Sequence, residues 1–148
     1  MNILKSLAFV LPMTLGTMAL SQTEETNPII KQRMEVMKSM NGSIGILIKM
    51  TKGEMAFDAE EAQAAAANIA ETAAEVPALF EAEEMSEKSR ALPAIWQNYE
   101  DFSNKADALR VAAETAATQI DAHDDLGPAV SNIGGACTAC HKVNRAER

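Results

Sequence analysis

Apolar residues recur at three- and four-residue steps along most of the chain from residue 27 onward. This spacing is the period of an amphipathic α-helix, and runs of β-branched residues, which favour strands, are scarce. Ala, Glu, Met, Lys and Gln, which suit helices, dominate the same stretch. The pattern predicts four helices with short connections. We therefore expect an all-α fold, an antiparallel four-helix bundle of the up-down-up-down type.

Caps and prolines set the expected limits of the first two helices. The first is predicted to begin at Asn27, an N-cap residue followed by proline, and to end at Gly53. The second is predicted to begin at Asp58, because Glu61 follows three residues later in a capping arrangement. We expect this helix to run to about residue 74 or one turn beyond, where Pro77 disturbs it.

The second half of the chain is predicted to hold two more helices after a charged loop over residues 80–92. The third helix is expected from near Pro93 to about Ala122, with one apolar stripe along its length. The fourth is expected to begin around Leu126 and to carry the end of the chain.

The start of the chain has the features of an export signal. Lys5 supplies a positive charge, an apolar run covers residues 7–20, and small residues precede Gln22. We predict a cleaved signal peptide at residues 1–21 and a mature domain over residues 22–148. The apolar run is short for a transmembrane span, so we expect a periplasmic protein that is free of the membrane after cleavage.

The chain of 148 residues is acidic, with a formal net charge of −8. It has no basic stripe, which argues against nucleic acid as a partner. An acidic surface mainly favours solubility, although it can also steer a protein towards a basic redox partner. The sequence does not identify such a partner.

The most specific motif is Cys137-Thr138-Ala139-Cys140-His141, a C-x-x-C-H sequence near the end of the chain. This pattern is the signature of covalent attachment of a c-type haem. Each thiol can add to one haem vinyl group, and the adjacent imidazole can bind the iron. On a helix the two cysteines and the histidine occupy positions i, i+3 and i+4, so they share one face.

Other interpretations of the two cysteines stay open at this point. A redox dithiol of the thioredoxin kind belongs early in a strand–helix unit, and no apolar strand precedes Cys137. A structural zinc site needs four ligands, which would require His123 and a carboxylate beside the two thiols. A disulfide between Cys137 and Cys140 would close a very small loop and stabilise little.

The chain resembles the class II c-type cytochromes, whose best-known members are the cytochromes c′. The resemblance extends from Ile29 to the C-terminus and depends first on the C-terminal position of the haem motif. The smaller matches are Gly134-Gly135-Ala136, Arg145, Ala94-Ile95-Trp96, Lys52-Gly53 with Phe57-Asp58, and Pro77-Ala78-Leu79-Phe80.

This resemblance implies one covalently attached haem c in a bundle that is often dimeric through its early helices. His141 would be the proximal ligand of the iron. Arg145 would lie against the haem on the same side, one helical turn further on. Arg33 would meet a haem propionate, which accepts paired hydrogen bonds from a guanidinium. Apart from the resemblance, Arg145 is equally a surface arginine at a helix C-terminus and Arg33 a solvated charge. Monomer and homodimer both stay open.

Met37 lies one turn after Arg33, where the family places a side chain on the distal side of the iron. The first hypothesis is an electron-transfer protein with five-coordinate iron, in which Met37 fills the pocket and nitric oxide or carbon monoxide can bind. The alternative is a six-coordinate, low-spin electron carrier with Met37 as second axial ligand. A methionine suits both roles, as a soft ligand and as a flexible filler. Met34 and Met40 are expected in the core.

A small haem enzyme such as a peroxidase is a third hypothesis, and the sequence argues against it. The first helix has no histidine to act as acid or base in oxygen–oxygen cleavage. His123 precedes the last helix in an Asp-rich turn and is expected to be exposed. We therefore expect no catalytic residues.

Overall fold

The computed structural model describes residues 25–147, so the predicted signal peptide at residues 1–21 lies outside the described residues. The helices are α1 (Pro28–Thr51), α2 (Ala59–Leu79), α3 (Ala94–Gln97), α4 (Tyr99–Gln119) and α5 (Leu126–Asn144). A single 3-10 turn over His123–Asp125 leads into α5. In the described range the only strand-like pairing is one isolated β-bridge, which confirms the predicted all-α class.

The first two helices begin where their caps predict. The Asn27 side chain accepts hydrogen bonds from the main-chain N–H groups of Ile29 and Ile30 at 3.0 and 3.3 Å. The Asp58 carboxylate accepts one from the Glu61 N–H at 2.9 Å. Each cap pairs N–H groups that have no partner within their own helix, and these pairings fix the point where the helix starts.

Two helix limits differ from the expectation. Pro77 lies inside α2, which ends only at Leu79. Because the proline falls in the last turn, its missing N–H removes a bond near the end of the helix and the chain completes the turn. The predicted third helix is divided at Asn98, which has φ −140° and ψ 61° and caps α4 by accepting from the Asp101 N–H at 3.4 Å. The long part of that helix then ends at Gln119, before the predicted residue 122.

The four long helices α1, α2, α4 and α5 form the bundle, with α2 and α5 each lying against both α1 and α4. Hydrogen bonds between α2 and the α4 region fix their antiparallel register. The Tyr99 hydroxyl donates to the Pro77 carbonyl at 2.6 Å, and the Gln63 amide donates to the Ile120 carbonyl at 2.8 Å. Residue 99 lies beside residue 77, and residue 120 lies beside residue 63. Helices α2 and α4 therefore run in opposite directions.

The core has two kinds of contact surface. The inner face of α2 is mainly alanine, which lets neighbouring backbones approach closely, and its buried members include Ala62, Ala66 and Ala73. Larger side chains fill the space on the other helices, with Leu47 on α1 and Ile133 on α5 both fully buried. No helix in the described part of the chain is long and apolar enough to span a bilayer.

Candidate functional site

The three residues of the haem motif lie on α5, as the predicted spacing requires. Cys137, Cys140 and His141 are each partly buried, and both thiols pack against the hydrophobic core. The Asn144 side-chain amide donates to the Cys140 carbonyl at 3.1 Å and lies 3.7 Å from its sulfur. One face of α5 therefore holds two thiols and an imidazole next to apolar side chains.

The surroundings keep both thiols protonated. Burial raises the pKa of Cys137, and the neighbouring Cys140 raises it further. Burial also raises the pKa of Cys140, against smaller opposing effects from Asn144 and Lys105. A catalytic dithiol needs a lowered thiol pKa, because the thiolate is the reactive form. The environment therefore disfavours the redox-dithiol interpretation.

The disulfide and zinc interpretations also find no support. Both cysteines are free. Over residues 25–147 no group of three or more His, Cys, Asp and Glu side chains converges to hold a metal ion. His123 lies instead at the C-terminal end of α1, where its Nε2 is 3.2 Å from the Met50 carbonyl and its ring meets the edge of Phe57. It is exposed, as predicted.

The surroundings of His141 favour its neutral form. Burial lowers its pKa, and the positive charges of Arg145 and Arg90 lower it further. Neutral imidazole is the form that binds a metal ion, since the ligating nitrogen must be free of its proton. The influence of Arg90 is absent from the sequence-based prediction, because residue 90 is 51 positions from His141 and follows no recognised spacing.

The chain leaves the helix before Arg145, so the premise that Arg145 continues the helical face of His141 is wrong. α5 ends at Asn144, and Arg145 is exposed with extended backbone angles of φ −131° and ψ 130°. It pairs with Ala91 in the isolated β-bridge, beside bonds from Leu92 N to Asn144 O and from Ala146 N to Arg90 O. The charge of Arg145 still reaches His141, and its contact with haem stays a prediction.

Arg33 lies in a different setting from the one predicted. It is 3% exposed, and its guanidinium donates to three main-chain carbonyls, those of Leu79 at 2.7 Å, Ala82 at 2.6 Å and Glu84 at 2.8 Å. Burial lowers its pKa from the ordinary arginine value, and the Glu84 carboxylate opposes that change. Arg33 is therefore not a solvated charge. Its contact with a haem propionate stays a prediction.

The three methionines of α1 differ in exposure. Met40 is buried at 6% exposure, as predicted, whereas Met34 is 48% exposed, so the prediction that it belongs to the core is wrong. Met37 lies between these extremes, partly buried and packed against the core. Part of the surface of Met37 therefore stays accessible on α1.

Comparison with known proteins identifies the family to which this bundle and motif belong. The family model described as cytochrome C′ matches residues 28–145, which is nearly all of the described chain. The chain belongs to the cytochrome c′ family. Its cofactor is covalently attached haem c, and the residues present fit that group: two free thiols and a neutral imidazole on one face of α5.

Individual relatives agree with this assignment. A cytochrome c-556 from Agrobacterium tumefaciens (strain apple 185) is 37% identical over 117 residues, covering 78% of this chain and 93% of the relative. The structure of cytochrome c′ from Rhodopseudomonas palustris matches with a TM-score of 0.77 at 31% identity, covering 81% of this chain and 97% of that one. A nitric oxide complex of a cytochrome c′ mutant from Alcaligenes xylosoxidans matches with a TM-score of 0.71 at 25% identity, covering 84% and 100%.

Proposed function

We propose that this protein is a periplasmic class II c-type cytochrome that carries one haem c on Cys137 and Cys140, with His141 as proximal iron ligand. The observation that supports this most is the placement of two free thiols and an imidazole, all partly buried, on α5. When bound, the haem would supply an iron that exchanges one electron and can take a further ligand. The helix orients the three attaching side chains, and the apolar core beside them excludes water.

We propose that the iron is five-coordinate and that nitric oxide and carbon monoxide can bind opposite His141. Met37 supports this role, because it packs against the core and has no N–H or O–H group to donate to a bound ligand. A flexible thioether can make way for a diatomic molecule and still obstruct a larger one. The nitric oxide complex of the Alcaligenes xylosoxidans relative gives further support.

A second candidate is a six-coordinate electron carrier in which the Met37 sulfur binds the iron. The partial exposure of Met37 favours this candidate, since a fully packed side chain could not turn its sulfur towards a ligand-binding position. Thioether ligation would raise the reduction potential relative to an open site. Both candidates share the attachment residues and differ only in what Met37 does.

An optical spectrum of the purified haem protein, with and without carbon monoxide, separates the two candidates. Five-coordinate iron is expected to give a broad reduced Soret band that shifts when carbon monoxide is added, in the wild type and in Met37→Ala alike. Met34→Ala is the matched control, because Met34 lies on the same helix and is exposed. A sharp low-spin α band that ignores carbon monoxide and disappears only in Met37→Ala would overturn the five-coordinate assignment.

The positive charge of Arg145 is proposed to act on the proximal side of the haem. Its influence on His141 supports this role although Arg145 lies outside α5. A fixed cation near an iron favours the reduced form, because the oxidised form carries one more positive charge. No residue is proposed to act in catalysis. We also propose a homodimer through the early helices, as in many members of the family.

A further inference from the structure

The last residue of α5 turns a side-chain amide back towards the haem motif. Asn144 lies four residues after Cys140, and this spacing places both side chains on the same face of the helix. The Asn144 Nδ2 atom donates to the Cys140 carbonyl at 3.1 Å and lies 3.7 Å from the Cys140 sulfur. The amide nitrogen has two N–H groups, and both of these acceptors belong to the same residue. The second cysteine of the motif therefore has a donor of its own beside the sulfur.

The main chain holds Asn144 in place. Its carbonyl accepts a hydrogen bond from Leu92 N at 3.0 Å, and a second bond runs from Ala146 N to Arg90 O at 2.8 Å. Asn144 itself is 5% exposed. An amide that turned away from its acceptors would leave an unpaired donor in the protein interior, which is costly. The side chain therefore stays directed at Cys140.

The contact does not depend on what lies against the helix. Asn144 and Cys140 belong to one turn of α5, so their spacing is set by the helix itself. When a thiol adds to a vinyl group, a C–S bond forms, the double bond becomes single and the thiol hydrogen passes to the other vinyl carbon. The resulting sulfur has no hydrogen and can only accept. An amide N–H can donate to this sulfur both before and after attachment.

The two cysteines of the motif differ in this respect. The residue four positions after Cys137 is His141, whose imidazole is proposed to bind the iron. The helical spacing that gives Cys140 an amide thus gives Cys137 the proximal ligand instead. We therefore expect the effect of Asn144 at one of the two attachment sulfurs.

We propose that Asn144 is a positioning residue for haem, because its side-chain amide fixes the Cys140 sulfur and directs the positive end of an N–H dipole at it. This proposal rests on the proposed attachment of haem at Cys140. Partial positive charge beside a haem favours the reduced iron, since the oxidised form carries one more positive charge. Asn144 thus holds one attachment point in place and raises the reduction potential.

Three variants of the haem-loaded protein test the proposal. Asn144→Leu keeps the branched shape of the side chain and removes both N–H groups. Asn144→Ser keeps one donor, and a helical serine hydroxyl bonds to the carbonyl four residues back, so the carbonyl bond is retained and the sulfur contact is lost. Asn132→Leu is the matched control, because Asn132 lies on the same helix and is exposed.

The first measurement is the C–S stretching band of the attached haem in the resonance Raman spectrum, which reports the conformation about the attachment sulfurs. We expect this band to shift in Asn144→Leu and in Asn144→Ser, and to match the wild type in Asn132→Leu. An unshifted band in either Asn144 variant would overturn the proposal, because the sulfur would then keep its place without the amide.

The second measurement is the reduction potential of the same variants. Loss of the N–H dipole at the sulfur is expected to lower the potential in Asn144→Leu and Asn144→Ser relative to Asn132→Leu. A potential that is equal to the control or higher would contradict the proposal. If Asn144→Leu does not fold, Asn144→Ser still provides both measurements.

A third measurement, on the unsubstituted protein, does not involve the iron. Hydrogen exchange of the Asn144 side-chain amide, followed by NMR, is expected to be about tenfold slower or more than that of the exposed Asn132. Equal rates would overturn the proposed contact. A failure of the proposed function is distinguishable, because acidified organic solvent would then extract the haem from the unsubstituted protein. A failure of the present proposal alone appears only in the variants, with haem firmly attached to the unsubstituted protein.

Discussion

Replacing Ile133 by alanine tests whether α5 is held in the bundle by its buried apolar stripe. Ile133 is 0% exposed and lies one turn before Cys137. The change removes three carbon groups worth about 0.8 kcal/mol each and leaves a cavity that the bundle fills only in part, so we expect a loss of roughly 3 to 4 kcal/mol. In a domain of this size that corresponds to a fall in Tm of about 10 to 20 °C.

The assay is guanidinium chloride unfolding of the haem-loaded protein, followed by far-UV circular dichroism. Covalent attachment keeps the haem on the unfolded chain, so loss of the cofactor does not add to the measured free energy. Val143→Ala is the matched control, since Val143 lies on the same helix and is 45% exposed. It is expected to stay within about 0.5 kcal/mol of the wild type.

A graded variant sharpens the test. Ile133→Val removes a single methyl group and is expected to cost about 1 kcal/mol. If Ile133→Ala unfolds within about 1 kcal/mol of Val143→Ala, the packing argument is refuted, because the buried stripe of α5 would then contribute no more than its exposed face.

Three further outcomes follow from local geometry. Tyr99→Phe removes a hydroxyl bond to a main-chain carbonyl of α2, 2.6 Å long, and is expected to cost about 0.5 to 1 kcal/mol in chemical unfolding. Gly42→Ala is expected to stabilise α1 by about 0.5 to 1 kcal/mol, whereas Gly53→Ala should destabilise by about 1 kcal/mol. Neither new methyl group would meet an atom within 4 Å, and of these two glycines only Gly53 has a positive φ, 71°. Equal changes in Tm for Gly42→Ala and Gly53→Ala would contradict this reasoning. The hydrogen bond from Ser86 lowers the pKa of the Glu25 carboxyl. The contact therefore stabilises the fold at pH values above the ordinary carboxyl pKa, and this stabilisation is lost as the pH falls through the lowered pKa. An NMR titration of Glu25 with a midpoint at or above the ordinary carboxyl pKa would contradict this prediction.

Most of the fold could be predicted from local signals. Asn27 and Asp58 mark helix starts because capping depends on a side chain and the N–H groups two or three residues away, all visible in a short stretch of sequence. The interruptions were harder to predict. Pro77 allows α2 to finish its last turn, and Asn98 divides the third helix because it can cap a new start within a helix-favouring stretch. Whether the helix continues or breaks at such a residue depends on packing against the rest of the bundle, which a short stretch of sequence does not show.

In the candidate site, too, some features could be predicted from the sequence and others could not. The sequence predicts a role for Cys137, Cys140 and His141 because the C-x-x-C-H motif lies within five consecutive residues. The setting of Arg33 is not, since its partners lie 46 to 51 positions away and are main-chain carbonyls, which no side-chain pattern reveals. The position of Arg145 also depends on a distant segment, because pairing with residue 91 draws it out of the helix.

The pairing between residues 90–92 and 144–146 has a consequence for how freely this region can vary. Its bonds from Leu92 N to Asn144 O and from Ala146 N to Arg90 O involve only main-chain atoms, so they do not depend on side-chain identity. The residue at 145 can therefore change its charge or size while the chain keeps its path beside α5. Proline is the exception at residues 92 and 146, because it lacks the N–H that each pairing bond requires, and at residue 145, whose N–H donates to the His141 carbonyl at 3.2 Å. The main-chain bonds thus fix the path of the chain, while the side chain near His141 can vary independently of it.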